Sequence, residues 1–228
     1  WSIGRCDFSV FLCEFFHASS GMTPQFSYRD PNDPEFWDER FQQGFTPWNR
    51  GAVPLALRDF VHKLERTQEA VPNCLIPGCG HAHELGFLSE AGWQVTAIDF
   101  SLAAVNTAKA QLGQWSERVQ HADFFQFTPN APLSLIYERA FFCALPPAMR
   151  EAVVERWAKL LPSGAQLIGY FLLNDTDDLS KKGPPFHTPV QEFSALMRPY
   201  FVCLEDADVS DSLAVFEGKE RWQVWQRN

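Results

Sequence analysis

Basic residues are scarce in this chain, and they form no long run. The 228 residues include 19 Lys and Arg against 28 Asp and Glu, which gives a formal net charge of −9. Binding to nucleic-acid phosphates requires clustered Lys and Arg, so this deficit argues against a nucleic-acid partner. The acidic balance instead gives a mild bias towards a cationic small-molecule ligand.

The beginning of the chain lacks an apolar run long enough to span a bilayer. Residues 8–12 are mostly apolar, but acids bracket them closely and only Arg5 precedes them, which makes a poor secretion signal. We therefore predict no membrane partner. Residues 17–21 resemble a linker directly before Met22. Residues 1–21 are accordingly predicted to be a non-native or flexible N-terminal extension, with Met22 as the native start.

Cysteines with the spacing of a disulfide framework or a zinc site are missing. Cys74 and Cys79 are five residues apart and have no second pair to complete a zinc site. We therefore predict a reducing, cytoplasmic compartment and no bound metal. Hydrophobic residues make up 46% of the chain and charged residues 21%. Residues 22–228 are predicted to form a single globular domain with a substantial core.

A glycine-containing turn between two apolar runs is the most informative segment that is present. Leu75-Ile76-Pro77-Gly78-Cys79-Gly80 is followed by an amphipathic segment and then by a second β-rich run that ends on Asp99. Strand, glycine turn, helix, strand and acid is the order in which an open α/β sheet holds an adenosine-type ligand. Asp99 comes 19 residues after Gly80, where it is placed to accept hydrogen bonds from two ribose hydroxyls. On these residues alone, a tight turn followed by a surface aspartate is the alternative.

The same turn lacks the third glycine of a dinucleotide fingerprint. His83 occupies that position, and the next glycine is Gly86. A turn of this kind suits a ligand without a pyrophosphate, and S-adenosylmethionine is the common one.

Apolar periodicity predicts alternating strands and helices over the rest of the chain. The predicted fold is α/β: a doubly wound, mostly parallel sheet with helices on both faces and a closing antiparallel hairpin. Residues 174–188 are polar and are predicted to form a mobile lid or loop. The predicted helices are 34–43, 53–65, 82–91, 102–113, 147–160 and 190–197; the predicted strands are 73–77, 93–99, 118–121, 133–137, 165–173, 200–205 and 213–226.

Several short segments together resemble the thiopurine S-methyltransferase family, which includes plant-type thiol and halide methyltransferases. The resemblance covers about residues 34–226 and implies a class I methyltransferase-like fold. The segments are Phe36-Trp37-Asp38-Glu39-Arg40-Phe41, Gly44-Phe45-Thr46-Pro47-Trp48, Pro77-Gly78-Cys79-Gly80, Tyr137-Glu138-Arg139, Phe142-Cys143-Ala144-Leu145-Pro146-Pro147 and Gly183-Pro184-Pro185-Phe186.

This resemblance implies a role for individual residues around S-adenosylmethionine. Aromatic residues at positions 37, 41 and 48 would close over the cofactor, residue 78 would lie against its methionine part, and residues 123 and 124 would flank the adenine. Arg139 would contact the cofactor or the acceptor. The expected cofactor-binding residues are Trp37, Phe41, Trp48, Gly78, Cys79, Gly80, Glu84, Asp99, Phe100, Asp123, Phe124 and Arg139; the expected acceptor-binding residues are Phe45, Arg139 and Phe142, together with the 174–188 loop.

Two positions depart from what the family commonly has. Phe41 stands where many relatives have tryptophan, so a hydrogen bond from an indole N–H is lost. Glu138 stands where relatives often have aspartate, which is a milder change.

Each of these residues also has a simpler structural interpretation. The tryptophans could fill a core, Arg139 could form a salt bridge at a strand end, and Glu84 could be an ordinary acid of a first helical turn. His81 and His83 are two residues apart at a helix start, so we expect them to point in different directions and to bind no metal. Cys143 is interpreted as a small buried apolar group without a catalytic role.

The functional hypothesis is methyl transfer from S-adenosylmethionine to a small, soft nucleophile such as a thiol, a thiopurine-like compound, or a halide or selenium species. Positioning and exclusion of water can drive this in-line displacement without a dedicated strong base. The alternatives are a non-catalytic adenosine-ligand binding protein of the same fold and a small-molecule oxidoreductase, the latter disfavoured by the missing third glycine. We expect a monomer with a small-molecule substrate.

Overall fold

The computed structural model describes residues 24–67, 70–175, 183–216 and 218–228. The predicted extension over residues 1–21 lies outside this range, as do residues 176–182 of the predicted loop. Within these residues, no helix combines the length and the apolarity needed to cross a bilayer.

Six α-helices and seven β-strands make up the described part of the chain. Nearly all lie within a few residues of their predicted positions. The helices are α1 Pro34–Gln42, α2 Leu55–Thr67, α3 His83–Glu90, α4 Leu102–Leu112, α5 Arg150–Leu160 and α6 Val190–Met197; the strands are β1 Asn73–Pro77, β2 Gln94–Asp99, β3 Val119–His121, β4 Leu135–Arg139, β5 Gln166–Leu172, β6 Phe201–Asp208 and β7 Glu220–Arg227.

The strands form one twisted sheet in the order β3-β2-β1-β4-β5-β7-β6. The five strands from β3 to β5 are parallel, whereas β7 pairs antiparallel with both β5 and β6. The predicted mostly parallel sheet with an antiparallel C-terminal hairpin is therefore confirmed. The last strand begins at Glu220 instead of residue 213, because Ala214–Phe216 forms a turn of 3₁₀-helix.

Alternate residues of each strand pack against helices on opposite faces of the sheet. Cys74 and Ile76 of β1 belong to the core that includes residues of α2, α3 and α4, whereas Leu75 belongs to the core that includes residues of α5 and α6. This alternation follows from the two-residue period of a strand. Because the helices cover the two faces of the sheet, the carboxyl ends of the parallel strands remain accessible at one edge. Strand order reverses between β1 and β4, and α/β sheets bind ligands at such a point.

Candidate active site

A cavity of about 680 Å³ lies at the carboxyl ends of β1, β2 and β4, beneath the N-terminal segment that includes α1. This volume is typical of a small-molecule site. Most of the residues predicted from the sequence line it: Trp37, Phe45, Trp48, Gly78, Cys79, Gly80, Glu84, Asp99, Phe100, Asp123, Phe124 and Arg139.

Phe142 lies in the core instead of the cavity wall, which corrects the expectation that it contacts the acceptor. The residue is 4% exposed, and its ring centroid is 5.4 Å from those of both Trp157 and Phe193. Ala140 adopts a left-handed backbone with φ of +59°, which redirects the chain after β4. Consequently Phe141, the preceding aromatic residue, takes the place in the cavity wall.

Phe41 supports the wall from behind the glycine turn. A Cβ atom built on Gly80 would lie 3.5 Å from Cζ of Phe41. The Phe41 ring centroid is 6.1 Å from that of Trp48 and 5.3 Å from that of His81. The structure therefore places Phe41 beside the residues that line the cavity and not among them.

The glycine turn requires glycine at its first position for two independent reasons. Gly78 has φ of +56°, which is costly for residues with a side chain. A Cβ atom at this position would also lie 2.4 Å from Cδ2 of Phe141, closer than atoms approach in proteins. The turn is tied to the neighbouring strand, since the Cys79 N–H donates to the Ile98 carbonyl at 3.1 Å. The result is a bare, fixed backbone surface facing the cavity.

Asp99 supports this turn through its carboxylate. Oδ2 accepts the Gly80 N–H at 3.0 Å, and Oδ1 accepts the Ser101 N–H at 2.9 Å. The residue is 7% exposed, and burial raises the pKa of its carboxyl to about 6 although both N–H groups act in the opposite direction. Each oxygen keeps a lone pair beyond these bonds. The carboxylate can therefore accept two ligand hydroxyls at the cavity edge.

An aromatic pocket follows β3. Phe124 and Phe141 meet edge to face with their centroids 5.0 Å apart. The loop is fixed by Asp123, whose carboxylate accepts the Phe125 N–H at 2.8 Å and an amide N–H of Gln126 at 2.9 Å. This arrangement offers apolar faces and a carboxylate to a flat ring such as adenine.

Helix α1 covers the cavity and is attached to the start of α4. Oδ1 of Asp38 accepts the Ser101 hydroxyl at 2.6 Å and the Ala103 N–H at 2.9 Å. Trp37 and Trp48 meet edge to face with centroids 5.5 Å apart, and both line the cavity. Packing and cavity lining are thus combined in the same two residues.

Arg40, which the sequence analysis did not single out, also lines the cavity. Its guanidinium carbon lies 3.3 Å from the ring centroid of Phe36 and 4.2 Å from that of Phe26. Only 9% of the residue is exposed. The four-residue spacing of Phe36 and Arg40 on one helix face could have indicated their contact. The contact with Phe26 could not be predicted in this way, because Phe26 comes from a segment without periodicity.

Arg139 occupies the cavity wall at the end of β4, between two carboxylates from separate elements. Its Nη1 is 3.9 Å from Oε1 of Glu84, and its Nε is 3.8 Å from Oε1 of Glu220. At these distances neither contact is a good hydrogen bond. Nε is buried and finds no hydrogen-bond acceptor among the described residues. Burial lowers the pKa of the guanidinium, but Tyr137, Glu84 and Glu220 outweigh this effect and raise the pKa overall.

His81 and His83 point in the same direction, contrary to the prediction. Their rings are nearly parallel, with an interplanar angle of 9° and centroids 5.7 Å apart, and both line the cavity. Ala82 between them has φ of +53°, because α3 begins only at His83. His83 Nε2 lies 3.0 Å from Oδ1 of Asn49. Across the described ranges, His, Cys, Asp and Glu side chains form no group of three that could hold a metal ion.

Cys143 contributes a buried thiol to the cavity wall. Burial raises its pKa well above the ordinary value, and the neighbouring carboxylates of Glu138 and Glu220 act in the same direction. The thiol is therefore protonated near neutral pH. The Cys143 carbonyl accepts the Phe186 N–H at 2.6 Å, which attaches the segment after residue 182 to the site.

The sheet order, the bare glycine turn and the buried acid at the end of β2 define a class I methyltransferase fold. The chain superposes on magnesium protoporphyrin IX methyltransferase from Synechocystis PCC 6803, crystallised with S-adenosylhomocysteine, with a TM-score of 0.65 and 16% identity over 84% of this chain and 97% of that one. It also superposes on the 1,6-didemethyltoxoflavin-N1-methyltransferase of Burkholderia thailandensis with a TM-score of 0.65 and 13% identity, covering 90% and 93% of the two chains. These similarities show the fold.

Sequence comparison identifies the family. The sequence profile described as Thiopurine S-methyltransferase (TPMT) matches residues 32–228, so the chain belongs to the thiopurine S-methyltransferase family. It is 28% identical to thiocyanate methyltransferase 1 of Brassica oleracea over 84% of each chain. It is also 28% identical to the thiopurine S-methyltransferase of Vibrio atlanticus strain LGP32 over 79% of this chain and 88% of the relative. The protein is therefore an S-adenosylmethionine-dependent methyltransferase.

Proposed function

We propose that this enzyme transfers the methyl group of S-adenosylmethionine to a small, soft nucleophile: a thiol, a thiopurine-like compound, or a halide or selenium species. The names of its relatives, which include thiocyanate and thiopurine methyltransferases, support this acceptor class. The observation that carries the proposal is the Arg139 guanidinium in the cavity wall, whose two carboxylate neighbours, Glu84 and Glu220, lie too far away for good hydrogen bonds.

The cavity residues fit the cofactor at both of its polar ends. Gly78 and Gly80 present bare backbone to the cavity, and Asp99 has lone pairs for two ribose hydroxyls. Asp123 and Phe124 would flank the adenine, and Glu84 would receive the amino group of the methionine part. When bound, the sulfonium supplies an electrophilic methyl group, so the protein needs to add position and a dry environment.

Aromatic side chains would favour the positive sulfonium over neutral product. Trp37, Trp48 and Phe141 line the cavity beneath α1 and beside the glycine turn. A cation over such rings gains on the order of 1–2 kcal/mol when water is excluded. The attraction fades once the methyl group has left and the sulfur is neutral, which assists product release.

Arg139 would hold the acceptor. A guanidinium with free N–H groups binds anions and favours the thiolate over the thiol of a bound acceptor. The thiol proton then leaves to solvent before transfer, and no protein base is required. Apolar residues of the same cavity, such as Phe45 and Phe216, suit large, weakly hydrated anions better than small hydrated ones.

An acceptor screen with labelled S-adenosylmethionine tests the proposal. We expect product with thiophenol, a thiopurine, thiocyanate or iodide, and little with a catechol or a primary amine of similar size. Arg139→Gln should lower kcat/KM for the anionic acceptors by about 30-fold or more, because a charged hydrogen bond contributes about 2 kcal/mol or more.

Arg118→Gln is the matched control, since Arg118 donates to Trp93 O and Ser89 Oγ near the opposite edge of the sheet. Calorimetry with S-adenosylhomocysteine shows whether Arg139→Gln affects the cofactor, the acceptor or both. Equal rates with sulfur, oxygen and nitrogen acceptors would contradict the proposed acceptor class.

A further inference from the structure

A buried glutamate next to Arg139 organises the turn that follows β4. Glu138 is 1% exposed, and its Oε1 accepts the N–H groups of both Phe141 and Phe142, at 3.0 and 2.9 Å. Glu138 is not among the residues that line the cavity. It lies on the face of the sheet that carries Ile136, on the side of α5 and α6.

These two hydrogen bonds fix where the next aromatic ring stands. Ala140 has φ of +59°, an unfavourable conformation that must be held by its surroundings. The Phe141 ring then lies directly over Gly78, since a Cβ atom on that glycine would be 2.4 Å from the ring. The same ring meets Phe124 at 5.0 Å. A single carboxyl oxygen therefore connects β4 to the glycine turn and to the aromatic pocket after β3.

We propose that Glu138 is a positioning residue of this enzyme: by accepting both N–H groups of the turn, it holds Phe141 against the glycine turn and so shapes the surface for the cofactor. The inference rests on the proposed placement of the cofactor at Gly78 and Asp99. It does not depend on which acceptor is methylated.

The electrostatic surroundings indicate that the geometry of Glu138 matters more than its charge. Its second oxygen, Oε2, is buried and has no hydrogen-bond partner among the described residues. The charged and titratable groups around it include Arg139, Glu220, Cys143 and Tyr137. Burial raises the pKa of Glu138 to about 8, against the two N–H groups and Arg139. The side chain is therefore largely neutral at pH 7, and a neutral amide of the same shape should replace it.

Three variants separate positioning from stability. Glu138→Gln keeps an oxygen that can accept both N–H groups, whereas Glu138→Leu has similar volume and no acceptor. Arg118→Met is the control, because it removes two partly buried hydrogen bonds near the opposite edge of the sheet. Each purified full chain is compared for melting temperature, S-adenosylhomocysteine affinity by calorimetry, and the KM and kcat of S-adenosylmethionine.

We expect Glu138→Leu to lower S-adenosylhomocysteine affinity about tenfold or more and to raise the KM of S-adenosylmethionine by a similar factor. Its kcat at saturation should stay within about threefold of the wild type, because Phe141 acts on cofactor binding. Glu138→Gln should retain affinity within about threefold at pH 7. Arg118→Met should lower the melting temperature without changing affinity. Wild-type affinity in Glu138→Leu, or an equal loss in Glu138→Gln, would overturn the proposal.

Phe141→Ala provides a second decision if Glu138→Leu does not fold. This variant removes the positioned ring and leaves Glu138 in place, so wild-type S-adenosylhomocysteine affinity in it would overturn the positioning role. A cofactor that binds elsewhere than at Gly78 and Asp99 would give a different set of results. In that case Asp99→Asn and all the Glu138 variants would bind S-adenosylhomocysteine as the wild type does.

Discussion

Protonation of Asp99 should control cofactor affinity in weakly acidic solution. Burial raises the pKa of this carboxyl to about 6, above its ordinary value of 3.8, so the ligand-free protein binds a proton there between these pH values. Only the ionised form can accept hydrogen bonds at both oxygens from ribose hydroxyls while still accepting the N–H groups of Gly80 and Ser101. Cofactor binding must therefore expel the proton whenever the pH is below about 6.

The size of the effect follows from this linkage. If only the ionised form binds, affinity falls by a factor of 1 + 10^(pKa − pH), which is about twofold at pH 6 and about elevenfold at pH 5. Asp99→Asn removes the titration altogether. It also turns one oxygen into an N–H donor that faces the N–H of Gly80 or Ser101. Loss of a charge-assisted acceptor should cost about 1.5–3 kcal/mol, or roughly 10–150-fold in affinity.

Calorimetry of S-adenosylhomocysteine binding from pH 5 to pH 8 measures both effects. The difference in pH dependence between wild type and Asp99→Asn isolates the contribution of this carboxyl from that of other groups. Asp59→Asn, a change of an exposed acid on α2, is the control for altered net charge. The reasoning fails if Asp99→Asn binds as tightly as the wild type, or if its affinity shows the same loss between pH 7 and pH 5.

Two further predictions concern the walls of the cavity. Gly78→Ala should lower stability by about 1–2 kcal/mol through backbone strain, and it should also weaken S-adenosylhomocysteine binding by displacing Phe141. Gly92→Ala should lower stability alone, because Gly92 has φ of +86° but open space around it. Comparison of denaturant titration with calorimetry checks this difference, and unchanged affinity in Gly78→Ala would contradict it. Asp38→Ala should destabilise the attachment of α1 to α4 by about 1–2 kcal/mol, and Asp38→Asn by much less, because one oxygen accepts both hydrogen bonds. Equal denaturant midpoints for these two variants would refute that explanation.

The part of the site near the glycine turn was predictable because its chemistry is local in sequence. Gly78, Gly80 and Asp99 lie on consecutive elements, and the strand periods around them fix which edge of the sheet they share. Arg139 was predictable for a similar reason, since it ends an apolar strand. The fold class followed from the same alternation of strand and helix, together with the antiparallel end of the sheet.

Other features depended on backbone angles or on distant contacts, which sequence spacing does not encode. Phe142 was expected at the cavity, but the left-handed turn at Ala140 exchanges its position with that of Phe141. His81 and His83 were expected to point in different directions because helical geometry was assumed for both residues. The helix begins only at His83. Glu220 approaches Arg139 only because β7 is inserted between β5 and β6. No local pattern indicates that insertion.

The insertion of β7 makes the completion of the site a late event in chain order. Glu220, the first residue of the last strand, is one of the two carboxylates beside Arg139, and it also accepts the Ser212 hydroxyl at 2.6 Å. A chain that ended before Glu220 would leave β5 as an unpaired edge strand, and Arg139 would keep Glu84 but lose its second carboxylate neighbour. In a nascent or clipped form the cavity wall around Arg139 would therefore be incomplete, whereas Gly78 and Asp99 lie at the ends of β1 and β2, in the other half of the sheet, and these strands do not pair with β7.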